Sequence, residues 1–240
     1  MPGTVFIAPH LDDVVFSAAH WVAAWPGSVV LTALAGVPKR THGASTDWDR
    51  RCGFVDAAQA IAARREEDAR ALALLGAEPL WLDFPDGQYG EPVGHDELAR
   101  ALASEVTRLQ PTRVLMPMGL FHTDHELVAD ASLQAMRAAF GLKPGEGTAR
   151  PDILLYEDAP YRDLPGVLQR RLVALHERGV TVTPCAARVP APGTGSLKRV
   201  ALQAYASQLK AFEGDLLGQL VRAAIDQPER PEGVWLIASG

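Results

Sequence analysis

The chain has 240 residues, of which 48% are hydrophobic and 22% charged, and carries a formal net charge of −6. That length buries one substantial core, and the charged share argues against wholesale disorder. An acidic balance without a long basic run excludes a nucleic-acid partner or an anionic membrane surface.

The first apolar run, TVFIA (4–8), reads as a buried strand, and residues 14–25 read as a helix that stops at Pro26-Gly27. SVVLTAL (28–34) is the next strand, followed by the mixed segment HGASTDWDRRCGF (42–54). That segment reads either as a flap closing on substrate, with Trp48 stacking a sugar ring, or as a packed surface loop anchored by Trp48 and Phe54. A long helix over 55–75 ends at Gly76, with Val55, Ala58, Ile61, Ala62, Ala69, Leu72, Ala73 and Leu75 on one face. PLWLDF (79–84), TRVLMP (112–117), DILLYE (152–157) and GVTVTPC (179–185) are further strands, separated by helices near 95–109, 125–140 and 164–178. A Pro, Gly and Ala-rich stretch at 186–200 reads as a surface loop or lobe boundary. SLKRVALQAYASQLKAFEG then resumes a helix, with Tyr205 and Phe212 as core residues, before a final strand GVWLIA (233–238).

Strand–helix alternation at this spacing predicts an α/β fold: a Rossmann-like, mostly parallel sheet with helices on both faces in three layers. The chain reads as a single domain over 1–240 with a C-terminal extension from about 186. Cys52 and Cys185 stand far apart without CxxC spacing, so they read as reduced thiols. No charged n-region, long apolar h-region or membrane-spanning run is visible, and a cytoplasmic location is expected.

Two clusters carry chemistry. The first strand runs into PHLDD, where His10 and Asp13 lie three apart, so one turn can aim both at a point while Asp12 faces elsewhere. The fourth strand is followed by HTDH, with His122, Asp124 and His125 inside four residues. Each has a plain alternative, an aspartate or Thr123 capping a helix beside exposed histidines. Yet both fall at carboxyl ends of strands, where open α/β sheets gather their sites. Imidazole and carboxylate suit a borderline cation such as zinc, which takes three protein ligands in catalytic sites. His10, Asp13 and one imidazole of the second cluster would complete such a set. A glycine-rich phosphate turn is missing after the first strand, which argues against a dinucleotide-binding protein.

PHLDDVVFS paired with HTDH resembles the PIG-L/LmbE-like family of zinc-dependent de-N-acetylases, which act on N-acetylated amino sugars and their conjugates. WDRRCGF, ARREEDARALALLGA, WLDFPDGQY, LLYEDAPY and LKRVALQAYASQL resemble later family segments, so the likeness runs nearly the whole chain. It implies that His10, Asp13 and His125 bind zinc and that Asp12 is the general base activating the water on it. It further implies that His122 stabilises the oxyanion or protonates the leaving amine, with Asp124 tuning a histidine. Arg64, with Glu67 beside it, and Asp86 would contact the sugar, although an exposed ion-paired face and a simple turn are their ordinary readings.

The chain departs from the family's opening at Leu11 and Val14, and has Leu120 where some members carry a tyrosine. A tyrosine-assisted step would then use Tyr89, Tyr156 or Tyr161. The expected substrate is a small-molecule amino-sugar conjugate. Amide hydrolysis on a larger thiol or glycan conjugate, and metal binding without catalysis, are the alternatives. Iron or manganese could stand in for zinc, and a homo-oligomer is compatible with the sequence.

Overall fold

The computed structural model describes residues 2–39, 45–141, 150–159, 161–185, 194–212, 218–219, 227 and 230–237. Residues 42–44 of the expected flap and 186–193 of the expected lobe boundary lie outside them. Five strands, β1 (Thr4–Ala8), β2 (Val29–Thr32), β3 (Glu78–Trp81), β4 (Arg113–Pro117) and β5 (Asp152–Tyr156), pair in parallel. β6 (Val182–Pro184) and β7 (Val234–Ile237) complete the sheet in the order β3-β2-β1-β4-β5-β7-β6. β7 runs antiparallel to both its neighbours, β5 and β6. The C-terminal part supplies an internal strand of the sheet, β7.

Alternation along the strands sorts the core into two layers. Val5, Ile7, Leu31, Val114, Met116, Ile153 and Leu155 face one side, where α4 (His95–Leu109), α5 (Thr123–Phe140) and α6 (Val167–Glu177) pack. Phe6, Ala8, Val30, Leu115, Leu154 and Tyr156 face the other, against α1 (Asp13–Ala24), α3 (Ala57–Leu74) and α7 (Thr194–Gln203). Strands buried on both faces read as unbroken apolar runs, which is why the sequence exposes them so clearly. The three-layer α/β architecture is the expected one.

Differences from expectation at three elements bear on how the site is supported. The strand expected over 28–34 ends at Thr32, and beyond it only single bridges continue, Leu34 to Asp83 and Gly36 to Pro85. At Gly36 a Cβ would sit 2.3 Å from the Asp83 carbonyl, so only glycine lets the two backbones approach this closely. The single helix expected after 196 is broken at Ala204–Tyr205 into α7 and α8 (Ala206–Ala211), because Tyr205 turns inward and donates its hydroxyl to the buried Asp68 at 2.9 Å.

The third is α1, which leaves helical geometry at Ala18 (φ −142°, ψ 22°). A regular helix would pair the His20 N–H with the Phe16 carbonyl. Here the Phe16 carbonyl accepts from Lys198 Nζ at 3.0 Å, and the His20 N–H donates to Glu232 Oε2 at 3.0 Å. Lys198 and Glu232 themselves pair at 2.6 Å, both buried. One ion pair from the C-terminal part thus satisfies both backbone groups at the break, as buried polar groups require.

Candidate metal centre and active site

Strand order reverses between β1 and β4, which leads one half of the chain left and the other right. The crevice outside the carboxyl ends of such strands is where an open parallel sheet accepts a ligand. His10, Asp12 and Asp13 follow β1, and His122, Asp124 and His125 follow β4. The second turn is tight. Phe121 sits at φ 65°, a left-handed conformation that strains a bulky residue by roughly 1–3 kcal/mol. The strain lies directly before His122, the N-cap of α5.

The two oxygens of Asp13 each face one imidazole: Oδ2 lies 3.1 Å from His10 Nδ1, and Oδ1 lies 3.3 Å from His125 Nε2. Each ring's opposite nitrogen is backed by another carboxylate. His10 Nε2 lies 3.0 Å from Asp124 Oδ2, and His125 Nδ1 lies 2.8 Å from Asp158 Oδ1. A backing carboxylate accepts the ring N–H and leaves the other nitrogen's lone pair free, the usual arrangement around a bound metal. One ligand atom from each of His10, Asp13 and His125 lies within 4.8 Å of the others, as a shared ion needs. His10, Asp86 and Asp124 also cluster within that distance. Their carboxylates are already engaged, however: Asp86 by Arg64 and Gln88, Asp124 by His10 and the Gly87 N–H. The first trio is the better ion site, and its two-nitrogen, one-oxygen donor set fits zinc.

The electrostatics favour a cation. Burial opposes protonation of His10, but the Asp86 charge and hydrogen bonds to Asp124 and Asp13 outweigh it and raise its pKa well above the usual value. Burial also opposes protonation of His125, yet Asp13 and Asp158 lift it to about 9. Asp13 is driven strongly down despite its burial, chiefly by His125 and His10. Burial and the Asp13 charge push Asp12 up to about 6, against the pull of Arg64.

Asp12 does not face elsewhere. It lines the same cavity, of about 210 Å³, as His10, Asp13, His122 and His125. Although it is the N-cap residue of α1, its side chain makes no capping bond; the Asp13 carboxylate instead accepts the His10 N–H at 2.8 Å. Helix capping therefore does not account for this pair of aspartates. At the second cluster, His122 itself caps α5, its Nδ1 accepting the Asp124 N–H at 3.2 Å. That bond leaves the proton on Nε2, and burial together with His10 and His125 lowers the pKa, so the ring is a neutral N–H donor.

Arg64 is buried rather than on a solvated face, 3.5 Å from Asp86 and 3.9 Å from Asp12, and both Arg64 and Asp86 line the cavity. Glu67 does not join them. Its carboxylate accepts from the Ser207 backbone and hydroxyl at 2.9 and 2.7 Å, holding the start of α8. Trp48 lines the cavity from α2 (Asp47–Cys52), with its indole N–H donated to Gln208 at 2.9 Å. Of the three candidate tyrosines, Tyr89 is bonded to Asp49 and Tyr156 to the Ile7 carbonyl. Only Tyr161 lines the cavity, stacked on His122 at 6.2 Å.

Sequence reasoning missed Asp158, Phe16, Gln88 and the second role of Phe212, which packs against the core as expected and also lines the cavity. Asp158 is fully buried and also accepts the Gly119 and Leu120 N–H groups at 2.8 and 3.0 Å. Its sequence signal is its place in LLYEDAPY, just past the carboxyl end of β5, which neighbours β4 in the sheet.

The profile of the PIG-L family, described as GlcNAc-PI de-N-acetylase, matches residues 5–136, over half of the chain and both histidine clusters. A comparison with curated proteins finds no match. Among solved structures, a triple mutant of a deacetylase of the teicoplanin biosynthetic pathway superposes with a TM-score of 0.75 at 24% identity, over 99% of this chain and 98% of that one. The deacetylase of the A40926 pseudoaglycone gives 0.73 at 24% identity over the same shares. A 4-carboxy-2-hydroxymuconate hydratase from Pseudomonas putida KT2440 gives 0.65 at 21%, over 99% and 97%. These likenesses establish a common fold, and the hydratase among them is a reminder that chemistry has to be argued from the site.

Proposed function

Because the chain belongs to the PIG-L family of GlcNAc-PI de-N-acetylases, we propose that it is a zinc-dependent hydrolase removing the N-acetyl group of an amino-sugar conjugate. The observation that carries this reading is the pair of imidazoles turned to opposite oxygens of Asp13, each backed by its own carboxylate. His10 through Nδ1, Asp13, and His125 through Nε2 would hold the ion. Zinc bound there supplies Lewis-acid polarisation of the amide carbonyl and acidification of water.

The chain's own groups do the rest. Asp12, next to a ligand and facing the cavity, takes the proton of the attacking water. The neutral His122 Nε2–H donates a hydrogen bond to the developing oxyanion, and Asp12 passes the proton it took to the departing amine. Arg64 keeps Asp12 and Asp86 in place through its guanidinium, and Asp86 and Gln88 offer acceptors and donors to sugar hydroxyls. Asp124 acts through His10 and not on the substrate.

The test is release of acetate from N-acetylglucosamine conjugates by the metal-loaded protein, with metal content measured in parallel. Asp12→Asn is expected to keep its metal and to lose about 10²–10⁴-fold in kcat. A near-normal rate in that variant would remove Asp12 from its role. Zinc bound stoichiometrically without acetate release from any conjugate would leave a metal-binding protein that is not a deacetylase.

A further inference from the structure

The cavity has two unlike walls. One is polar and holds His10, Asp13 and His125 with Asp12, Arg64, Asp86 and His122. The other is a cluster of three rings: Phe16 from α1, Trp48 from α2, and Phe212 at the end of α8. Phe212 meets Trp48 edge-on at 5.0 Å and Phe16 at 6.3 Å. Trp48 is pinned: its N–H goes to Gln208, and the Arg51 guanidinium lies 5.4 Å from its ring centroid. Gln208 in turn spends its amide nitrogen on Cys52 and Ser207. The ring wall therefore presents carbon and no uncommitted indole N–H. Hydroxyls laid against it would lose their water without gaining partners, which is unfavourable. An apolar group would gain by leaving water there.

We propose that the substrate is an N-acylated amino-sugar conjugate bearing an apolar substituent, aryl or alkyl, that packs against Phe16, Trp48 and Phe212. This rests on the deacetylase reading above and specifies it: a bare amino sugar fills only the polar wall. The apolar group has two possible origins, the aglycone or an acyl chain longer than acetyl, and both present the same chemistry to the rings.

Two substrate series given to the zinc-loaded wild-type protein separate these origins. In the first, the acetyl group is constant and the glycoside runs from methyl through butyl and hexyl to phenyl. In the second, the methyl glycoside is constant and the acyl group runs from acetyl to butyryl to hexanoyl. In one series kcat/KM is expected to rise at least about tenfold from its smallest to its largest member, mainly through KM. Phe212→Ala is expected to flatten that rise, and Phe212→Leu to keep most of it, with thermal melts confirming that both variants fold. Equal kcat/KM along both series, with the methyl N-acetyl compound still hydrolysed, overturns the proposal and leaves the deacetylase reading standing. An undiminished rise in a folded Phe212→Ala variant also overturns it. Acid release from no member sinks the deacetylase reading, and this inference with it.

Discussion

The helices that follow the two histidine clusters are held in opposite ways. α5 runs 18 residues without interruption, is capped by His122, and has His125 braced by Asp158 from just beyond the neighbouring strand. α1 leaves helical geometry one turn past Asp13, and the break is closed by Lys198 and Glu232, more than 170 residues further along the chain. One histidine turn is fixed by its own half of the sheet. The other depends on the C-terminal part being in place. That part supplies β7 inside the sheet, Tyr205 against Asp68, and the ring of Phe212, so core, helix α1 and apolar wall share one support.

The sharpest way to break this comparison is Lys198→Met. It removes one partner of a buried ion pair and leaves Glu232 uncompensated, so a loss of about 3–5 kcal/mol in unfolding free energy is expected from chemical denaturation. A loss below about 1 kcal/mol would mean that α1 does not lean on the C-terminal part.

The brace on the other helix is expected to register in metal affinity. Asp158 is inaccessible to solvent and accepts three N–H groups, so Asp158→Asn leaves donors poorly matched and frees the His125 ring to turn. Zinc affinity measured by competition with a chelator should fall by about 10–100-fold, towards the upper end. Asp124→Asn should fall nearer about tenfold. Asp124 braces His10 with one oxygen and also accepts the Gly87 N–H, and an asparagine oxygen can retain the imidazole bond. A reversed order of the two effects would show that the His10 side, not the His125 side, is the more rigid half of the site.

Much of this was legible beforehand, for identifiable reasons. β1, β4 and α4 match the expected spans to within a residue, because strands buried on both faces are continuous apolar runs and α4 carries a clear amphipathic period. His10, Asp13 and His125 meet because their turns follow adjacent parallel strands; the strand–helix alternation implied the parallel sheet and the carboxyl-end placement, and the sheet order supplies the adjacency. Asp158 escaped notice because a lone aspartate after a strand looks like any turn residue. Its role exists only through sheet order, which brings β5 beside β4. Glu67 sits three residues from Arg64 on the same side of α3 but meets Ser207 at the start of α8, because the next turn of that side packs against a different element, which the sequence does not reveal. The break in α1 carries no local mark. Ala18 is a good helix former, and only the distant Lys198–Glu232 pair makes its irregular geometry tolerable.

The dependence on the C-terminal part should also carry a pH signature through Asp68, on α3. Its carboxyl is buried, and burial pushes its pKa up to about 7, although the Trp81 N–H and the Tyr205 hydroxyl both donate to it. In the unfolded chain a carboxyl titrates near its usual value of about 3.9. The folded state therefore holds this proton more tightly, and the stability it contributes is complete below about pH 4 and lost as pH rises through about 7. Asp68→Asn offers an oxygen to Trp81 and an amide to Tyr205 without a charge to bury. The variant's melting temperature should consequently change less than that of the wild-type protein between pH 5 and 8. Parallel curves for the two would mean that Asp68 titrates normally and that the C-terminal support is indifferent to protons at this contact.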